Sequence, residues 1–313
     1  MKKLKFAIVQ ITRPQQKIYY LTHDPLRTLL YSLESLGHDV ICTRNSFAKD
    51  RINILATAYN LDSQNANILI KSKVNYVVYQ TEVLSAKGIN VFYDKTANVR
   101  SALGGKKAIQ TYLRVLSNSR MVWDCFSFNK NFLSKLNIDC GLIRHGYHPN
   151  LEGQPKKQNL DLDLLFFGSL TPYRKRILDA LNKKGYKLAV LSLEPPLFRD
   201  DCLRRTKLNL SIRANPQGMS HLPHFRVLTG LYHHTLTVSE ICSEQKWMED
   251  MVMMVPPEQL VETCDRILQS GEWEERAQKC RANFLQKPMT EYLRPLVARL
   301  DEKMDKGEYA IKR

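Results

Sequence analysis

The segment FFGSLTPYRKR, residues 166–176, holds the combination of residue types that most directly suggests chemistry. An apolar run ends in Gly168 and Ser169, a turn follows, and a helix then opens with Arg174 and two further basic residues. Backbone N–H groups, a helix N-terminus and cations would converge there, which suits a mono- or diphosphate. A plain strand–turn–helix with a solvated basic first turn is the alternative. The segment has no Walker GxxxxGK pattern, and no GxGxxG follows a predicted strand.

The elements that must position such a site follow from the alternation of apolar runs with helically spaced stretches. The predicted strands lie at residues 4–11, 38–44, 75–81, 120–124, 139–145, 162–169, 187–193, 208–213, 236–240 and 251–257. The predicted helices lie at residues 25–36, 106–116, 129–136, 173–184 and 221–232, with further helices after the last strand. This alternation indicates parallel sheets with crossover helices.

The expected fold class is therefore α/β, with two Rossmann-like doubly wound domains that face an interdomain cleft. Residues 147–160 break the pattern with Gly, Pro, Asn and Lys, and they form the predicted linker between domains at 1–146 and 161–289. The C-terminal helix, at 290–313, is expected to pack back on the first domain. Ligands bind at the carboxyl ends of the strands in open α/β sheets, so we expect the functional site between the domains.

Composition sets broad limits on the class of protein. The length of 313 residues favours two domains, and 43% hydrophobic with 25% charged residues are globular values. No apolar run reaches the roughly 18 residues of a spanning helix, and the start is too short and too alternating for a signal peptide. A cytoplasmic protein is expected. The seven cysteines form no CxxC pair, which argues against a disulfide framework and a zinc ribbon.

The net charge of +16 is unevenly distributed along the chain. Residues 1–150 carry 21 Lys and Arg against 9 Asp and Glu, a net +12, whereas residues 151–313 carry 26 against 22, a net +4. A basic surface attracts phosphates, anionic lipid or nucleic acid. We expect the N-terminal domain to meet an anionic or membrane-borne partner, with peripheral attachment to the inner face of a membrane. A dispersed, solvated surface is the alternative.

Four stretches of the second half follow one another in a recognisable order. They read FFGSLTPYRKRILDALNKKGYKL, LNLSIR, HFRVLTGLYHHTLTVSE and VPPEQLVETCDRIL, and they are preceded by VVYQTE, WD and RHGYHP in the first half. In order and spacing they resemble the GT-B glycosyltransferases, in particular bacterial single-chain enzymes with a family 1/4-like donor domain. The resemblance implies that the C-terminal domain holds a nucleotide sugar, and that the sugar passes to a hydroxyl of a glycan, glycolipid or other acceptor on the N-terminal domain. Polysaccharide biosynthesis is the expected context.

The resemblance also implies roles for individual residues of the donor domain. Gly168, Ser169 and Arg174 would face the donor phosphates. Arg213 or Arg226 would neutralise the charge that the departing diphosphate gains. For each arginine, a surface charge or a carboxylate partner is the alternative.

The chain departs from the larger retaining families, whose donor helix carries two glutamates eight positions apart. The matching positions are His221 and Thr229, which can still hydrogen-bond a donor. Glu240, at the end of LTVSE, is a possible substitute for the ribose contact, or an ordinary carboxylate at a strand end. The stereochemical outcome therefore cannot be transferred from the resemblance.

An inverting transfer needs a general base from the strand ends of the N-terminal domain. Glu82 directly follows the strand predicted at 75–81, and His23 and Asp24 precede the helix predicted at Pro25. Each has a structural alternative: Asp24 as the N-cap of that helix, Glu82 as a turn cap, and His23 as an exposed side chain.

No cofactor or metal is expected, and transfer is predicted to be metal-independent. Asp161 and Asp163 spell DxD, but the alternation of a strand explains them, and the histidines show no HExxH spacing. The stretch at 94–107 is either a mobile lid over the acceptor or a plain loop.

Two other functions compete with glycosyl transfer. A sugar-nucleotide epimerase of the same fold would need a matched acid and base, which the sequence does not display. A nucleic-acid-binding or nucleic-acid-modifying protein would use the basic first half, but no RNP, KH, helix-turn-helix or zinc motif is present, so a nucleic-acid partner is not expected.

Overall fold

The computed structural model describes residues 2–13, 22–90, 106–192, 194–214, 224–242 and 246–309. Within these ranges the chain forms two parallel β-sheets with helices on both faces. The α/β class and the two Rossmann-like halves expected from the sequence are confirmed.

The first sheet contains six parallel strands in the order β2-β1-β3-β4-β7-β8. Its strands are β1 (Lys5–Gln10), β2 (Asp39–Arg44), β3 (Ile52–Ala56), β4 (Tyr76–Gln80), β7 (Met121–Asp124) and β8 (Cys140–Leu142). A short antiparallel hairpin of β5 (Leu84–Ser85) and β6 (Gly88–Ile89) follows β4. The helices are α1 (His23–Ser35), α2 (Ser63–Lys71), α3 (Lys106–Ser117) and α4 (Ser127–Ser134).

The second sheet contains five parallel strands in the order β10-β9-β11-β12-β13. Its strands are β9 (Leu162–Phe167), β10 (Leu188–Leu191), β11 (Thr206–Ser211), β12 (Leu236–Glu240) and β13 (Met253–Val255). Its helices are α5 (Pro172–Lys183), α6 (Pro196–Arg205), α7 (His224–Tyr232), α8 (Leu260–Ser270) and α9 (Trp273–Leu285), and α10 (Met289–Asp305) ends the described chain.

The sequence prediction omitted strand β3, helices α2 and α6, and the β5–β6 hairpin. Strand β3 is a fully buried five-residue run, so it has no alternation of polar and apolar residues to mark it. Helix α6 buries little of its surface apart from Leu203, so its apolar stripe is too narrow to recognise. Both are cases in which tertiary contacts select the local structure.

The C-terminal helix α10 packs on the first sheet and not on the second. Its apolar residues Leu293, Val297 and Leu300 share one core with Phe6 and Leu29 of the N-terminal half. The chain therefore crosses between the two halves twice, once before β9 and once before α10.

These two crossings lie side by side. The N–H of Tyr147 donates to the carbonyl oxygen of Lys287 at 2.7 Å, and the N–H of Met289 donates to that of Tyr147 at 2.8 Å. A Cβ at Gly146 would lie 2.0 Å from the Lys287 carbonyl oxygen, so only glycine permits the crossing. The predicted linker is thus a paired, well-packed hinge.

No helix among the described residues combines the length and the apolar character that a membrane span requires.

Candidate functional site

Arg226 of α7 occupies the carboxyl end of β9, in contact with the glycine that sequence analysis singled out. Gly168 has a φ of +141°, and a Cβ at this position would lie 2.7 Å from Nη2 of Arg226. The Nε–H of Arg226 donates to the carbonyl oxygen of Phe167 at 2.9 Å, and the guanidinium lies 5.2 Å from the ring centre of Phe166. The backbone angle therefore favours glycine here, and a Cβ would displace the end of the Arg226 side chain.

Arg174 of α5 ties together the ends of two neighbouring strands. Its Nε–H reaches the carbonyl oxygens of Ile212 and Arg213 at 2.9 and 3.2 Å, and Nη1 donates to the carbonyl and hydroxyl oxygens of Ser169 at 2.7 and 3.1 Å. The side chain of Thr171 caps the start of α5. Arg174 is thus a buried brace that fixes the loop after β9 against the end of β11.

Glu240 closes the site on the far side, at the end of β12. Its carboxylate is fully buried, accepts a short hydrogen bond from the hydroxyl of Tyr173, and accepts from the backbone N–H and the Nε–H of Arg213 at 2.6 and 3.3 Å. The carboxylate that the sequence assigned to a ribose contact therefore holds Arg213 and Tyr173 in this arrangement. Tyr173 was not singled out from the sequence, although it lies within the basic segment.

Of the three arginines at this site, only one is paired with a carboxylate of the described residues. Arg213 has the carboxylate of Glu240, but neither Arg174 nor Arg226 forms an ion pair with a carboxylate in the described part of the chain. Nη1 of Arg226 is buried and lacks a hydrogen-bond partner among the described residues. Burial and the neighbouring Arg174 charge lower the pKa of Arg226 to about 9, which leaves the guanidinium protonated at pH 7.

A buried cation without a counter-charge is costly, and an anion would offset that cost. The N–H of Gly168 donates to the carbonyl oxygen of Leu191 at 2.9 Å, which commits this amide to the sheet. The guanidinium of Arg226 is therefore the group most available to an anion at the end of β9. The geometry fits a phosphate group better than a neutral ligand.

On the N-terminal side, Glu82 lies just beyond β4 at the carboxyl edge of the first sheet. Its carboxylate accepts hydrogen bonds from Asn90, Tyr59 and Thr81, and its carbonyl oxygen accepts from the amide of Asn129 at 2.7 Å. Burial raises the pKa of Glu82, and the hydrogen bonds lower it only in part. A half-buried carboxylate with a raised pKa has the properties of a general base.

Asp24 lies in the first turn of α1 and not at its N-cap, which is Thr22. Its carboxylate forms an ion pair of 2.7 Å with Arg199 of α6, and thus joins the two halves of the chain. The hydroxyl oxygen of Thr229 on α7 lies 3.5 Å from the same carboxylate. Burial opposes ionisation, but the hydrogen bond from His23 and the charge of Arg199 hold the pKa of Asp24 well below its usual range.

Of the other predicted residues, Thr229 donates its hydroxyl to the carbonyl oxygen of Phe225 and faces α1. His23 is half exposed, with Nδ1 at 3.5 Å from Asp24. His221 and most of the predicted lid at 94–107 lie outside the described residues. The structure therefore brings Gly168, Arg174 and Arg226 together, whereas it places Asp24 and Thr229 in the contact between the two halves.

The two aspartates of the DxD sequence are both engaged by cations. Asp161 pairs with Arg205, and Asp163 pairs with Lys207 at 2.7 Å and accepts from the N–H of Lys187. Their role in this arrangement is to hold β9 against β11 and β10.

A cavity of about 360 Å³ lies between the halves, beside the ion pair of Asp24 with Arg199. It is lined by segments of α1, α6 and α7 and by residues 151–154 of the hinge. The cavity is adjacent to the interdomain contact, and Gly168 and Arg226 do not line it.

No protein-family model matches the chain, and no curated protein matches its sequence. Its fold is similar to that of an alpha-glucosyltransferase in complex with UDP and a 13-mer DNA containing an HMU base, with 9% identity, a TM-score of 0.61, and 96% of this chain and 100% of that chain covered. The fold is also similar to that of a glycosyltransferase involved in avilamycin A biosynthesis. The identity is 11%, the TM-score is 0.55, and 97% of this chain and 98% of that chain are covered. A third similar structure is T4 phage BGT in complex with its UDP-glucose substrate. The identity is 12%, the TM-score is 0.52, and 99% of this chain and 100% of that chain are covered. At these identities the likeness shows the fold, which is GT-B as the sequence resemblance predicted.

The contrast between the two arginines leads to a prediction about stability. In Arg226→Met, one hydrogen bond of about 1 kcal/mol is lost, but a charge without a carboxylate partner is removed as well, so we expect little loss, or a gain, in the free energy of unfolding. Arg174→Met leaves the acceptors of Ile212, Arg213 and Ser169 without their donor, and we expect a loss of about 1–3 kcal/mol. Denaturant unfolding of the two variants and the parent, without ligand, measures both changes in the free energy of unfolding. A larger loss for Arg226→Met than for Arg174→Met would contradict the assignment of an unbalanced charge.

Proposed function

We propose that this chain is a glycosyltransferase that moves a sugar from a nucleotide diphosphate sugar to a hydroxyl of an acceptor. The observation that carries the proposal is the buried guanidinium of Arg226, unpaired among the described residues and packed against Gly168 at the end of β9. The GT-B fold adds support, because its solved examples include proteins described in complex with UDP and with UDP-glucose.

The chemistry of the proposed reaction makes use of this charge. As the acceptor oxygen attacks the anomeric carbon of the sugar, the bond from that carbon to the diphosphate breaks, and the electron pair passes to the phosphate oxygen. A fixed cation stabilises the negative charge that develops there, and it needs no reorganisation at the moment of reaction. Arg226 supplies that cation in the proposal, while Arg174 and the capped start of α5 hold the loop that carries Ser169. This arrangement is proposed to replace a metal ion.

Glu82 is the proposed general base, which takes the proton of the acceptor hydroxyl. It stands at the carboxyl edge of the first sheet, where burial raises its pKa towards the range that suits proton transfer near neutral pH. Asp24 is the weaker candidate, because its ion pair with Arg199 keeps it ionised and poorly basic. His23 lies beside Asp24 and is proposed to support that ion pair.

The proposed acceptor is anionic or membrane-borne and binds on the N-terminal half. The support is the net charge of +12 over residues 1–150, against +4 over residues 151–313. One structurally similar protein is described with DNA, which is also polyanionic, so a nucleic-acid acceptor is the alternative that a binding test must separate from an anionic membrane.

The first prediction of this proposal concerns the donor. Parent protein should bind at least one of UDP, GDP, CDP and TDP in the presence of EDTA, and added magnesium should not strengthen binding. Arg226→Met should weaken binding by about 1.5–3 kcal/mol, the value of a charged hydrogen bond. Isothermal titration calorimetry measures the affinities, and Arg294→Met, at an exposed arginine of α10 far along the chain from the basic segment, is the matched control. Equal nucleotide affinity in Arg226→Met and the parent would exclude the proposed role of Arg226. Nucleotide binding that depends on magnesium would overturn the proposed metal independence.

The second prediction concerns Glu82. Glu82→Gln keeps the shape and the hydrogen bonds to Asn90 but removes the base, so kcat should fall by about 10²–10⁴-fold with nucleotide affinity unchanged. Since burial raises the pKa of Glu82, the base is lost as the pH falls through a value above the usual glutamate range, and kcat/KM should fall there. The control is Glu34→Gln, which removes an exposed carboxylate of the same half. A Glu82→Gln enzyme with parental kcat would exclude the role.

The third prediction concerns membrane attachment. The protein should co-sediment with vesicles containing anionic lipid at low salt and be released at ~0.5 M salt, since each basic residue near such a surface contributes about 1 kcal/mol that salt screens. Vesicles of zwitterionic lipid are the control, and duplex DNA is the competitor. Binding that ignores salt would refute the electrostatic argument, and preferential binding to DNA would favour the nucleic-acid acceptor.

A further inference from the structure

Three potential metal ligands from distant parts of the sequence meet between the two halves of the molecule. They are Cys125, which follows β7, His145, which follows β8, and His224, which opens α7. One ligand atom of each residue lies within 4.8 Å of the other two. Two of these residues belong to the N-terminal half and one to the C-terminal half, so the cluster exists only when the halves are docked.

The hydrogen bonds around His145 leave one of its ring nitrogens without a partner among the described residues. Nε2 of His145 lies 2.6 Å from the hydroxyl of Tyr79, whereas Nδ1 is buried with no hydrogen-bond partner in the described part of the chain. The Tyr79 hydroxyl also lies close to the Cys125 thiol. A hydroxyl has one proton to donate. When the Tyr79 hydroxyl donates this proton to the Cys125 sulfur, the Tyr79 oxygen accepts the Nε2–H of His145. Nδ1 of His145 then carries the lone pair that can bind a metal ion.

This pattern is one that metal-binding histidines need. Such a histidine usually donates its other ring N–H to a fixed acceptor, which sets the tautomer and the orientation of the ring. His145 is 1% exposed and His224 is 2% exposed, and the two rings are stacked with centroids 5.2 Å apart. Phe225 packs edge-on against His145 at 4.8 Å. The two histidines are therefore shielded from solvent and lined by aromatic rings.

The donor set selects the kind of ion. One thiolate and two imidazoles are soft to borderline ligands, which favour zinc over magnesium or calcium. Zinc bonds of about 2.3 Å to sulfur and 2.0–2.1 Å to nitrogen would place the ligand atoms roughly 3.3–3.6 Å apart, so ligand atoms that now lie within 4.8 Å of one another would approach by at most about 1.5 Å. Because His224 belongs to the other half of the chain, a small closure of the hinge can supply that movement.

We propose that Cys125, His145 and His224 form an interdomain zinc site that fixes the docked arrangement of the two halves. Cys125 is half-buried, so the fourth zinc ligand would be a water molecule on its side. On binding, the Cys125 thiol releases its proton and the sulfur binds as a thiolate. The ion holds the hinge, and it has no part in the transfer step proposed for Arg226 and Glu82.

The test uses the full chain without an affinity tag, since tags bind zinc. After removal of metals with a chelator, one equivalent of zinc should bind with an apparent Kd below about 1 µM in competition with a chromophoric chelator. Zinc should also raise the Tm. Cobalt in its place should give a sulfur-to-cobalt charge-transfer band together with the intense visible bands of four-coordinate cobalt.

Variants distinguish this site from adventitious binding. Cys125→Ser, which can keep the hydrogen bond with Tyr79, should lose the charge-transfer band, and His224→Ala should abolish stoichiometric binding. Tyr79→Phe should weaken zinc binding by about 10- to 100-fold, as expected when the group that orients a ligand is removed. Cys42→Ser, a change at an exposed thiol, is the control and should bind as the parent does.

Two results would overturn the proposal. One is a parent protein that binds less than one equivalent of zinc under these conditions. The other is a folded Cys125→Ser or His224→Ala variant, verified by circular dichroism, that binds zinc as tightly as the parent. Neither result bears on nucleotide binding at Arg226, so the zinc site and the proposed transferase function are tested independently.

Discussion

The charge on Arg226 is the constraint on which the candidate site depends. A guanidinium lies at the end of β9, packed against Phe166, with one nitrogen buried and unpartnered among the described residues. It lies against Gly168, where a Cβ would displace it, and the loop that follows is held by Arg174. Such a charge reduces the stability of the unliganded fold unless an anion meets it. Proteins tolerate uncompensated charges of this kind mainly at functional sites.

The two halves of the molecule are joined by two chain crossings and by side-chain contacts at separate points. Two chain crossings lie side by side at Gly146, and α10 returns to the first sheet. Across the interface, the ion pair of Asp24 with Arg199 and the stacked rings of His145 and His224 connect the halves at separate points. Every one of these contacts changes if the halves rotate.

The sequence predicted much of the framework and part of the site. Strands β1, β2 and β12 were predicted almost to the residue, because their apolar runs have clear ends. The segment of Gly168 and Arg174 was recognised because glycine, a turn and basic residues stand close together in the chain. The pairing of Glu240 with Arg213 and of Asp24 with Arg199 was not predicted, since their partners lie 27 and 175 positions away along the chain.

The sequence by itself thus determined the fold class and pointed to residues 166–176 as a candidate anion site, because strand and helix periods and local turn chemistry depend on near neighbours. Only the tertiary structure decided which charges are balanced. It gave Glu240 to Arg213, left Arg226 without a carboxylate among the described residues, and gathered Cys125, His145 and His224 into one cluster. The physical reason is that charge balance and metal-ligand geometry depend on distances in space. Those distances are fixed by how the two sheets dock, and no local pattern in the chain encodes them.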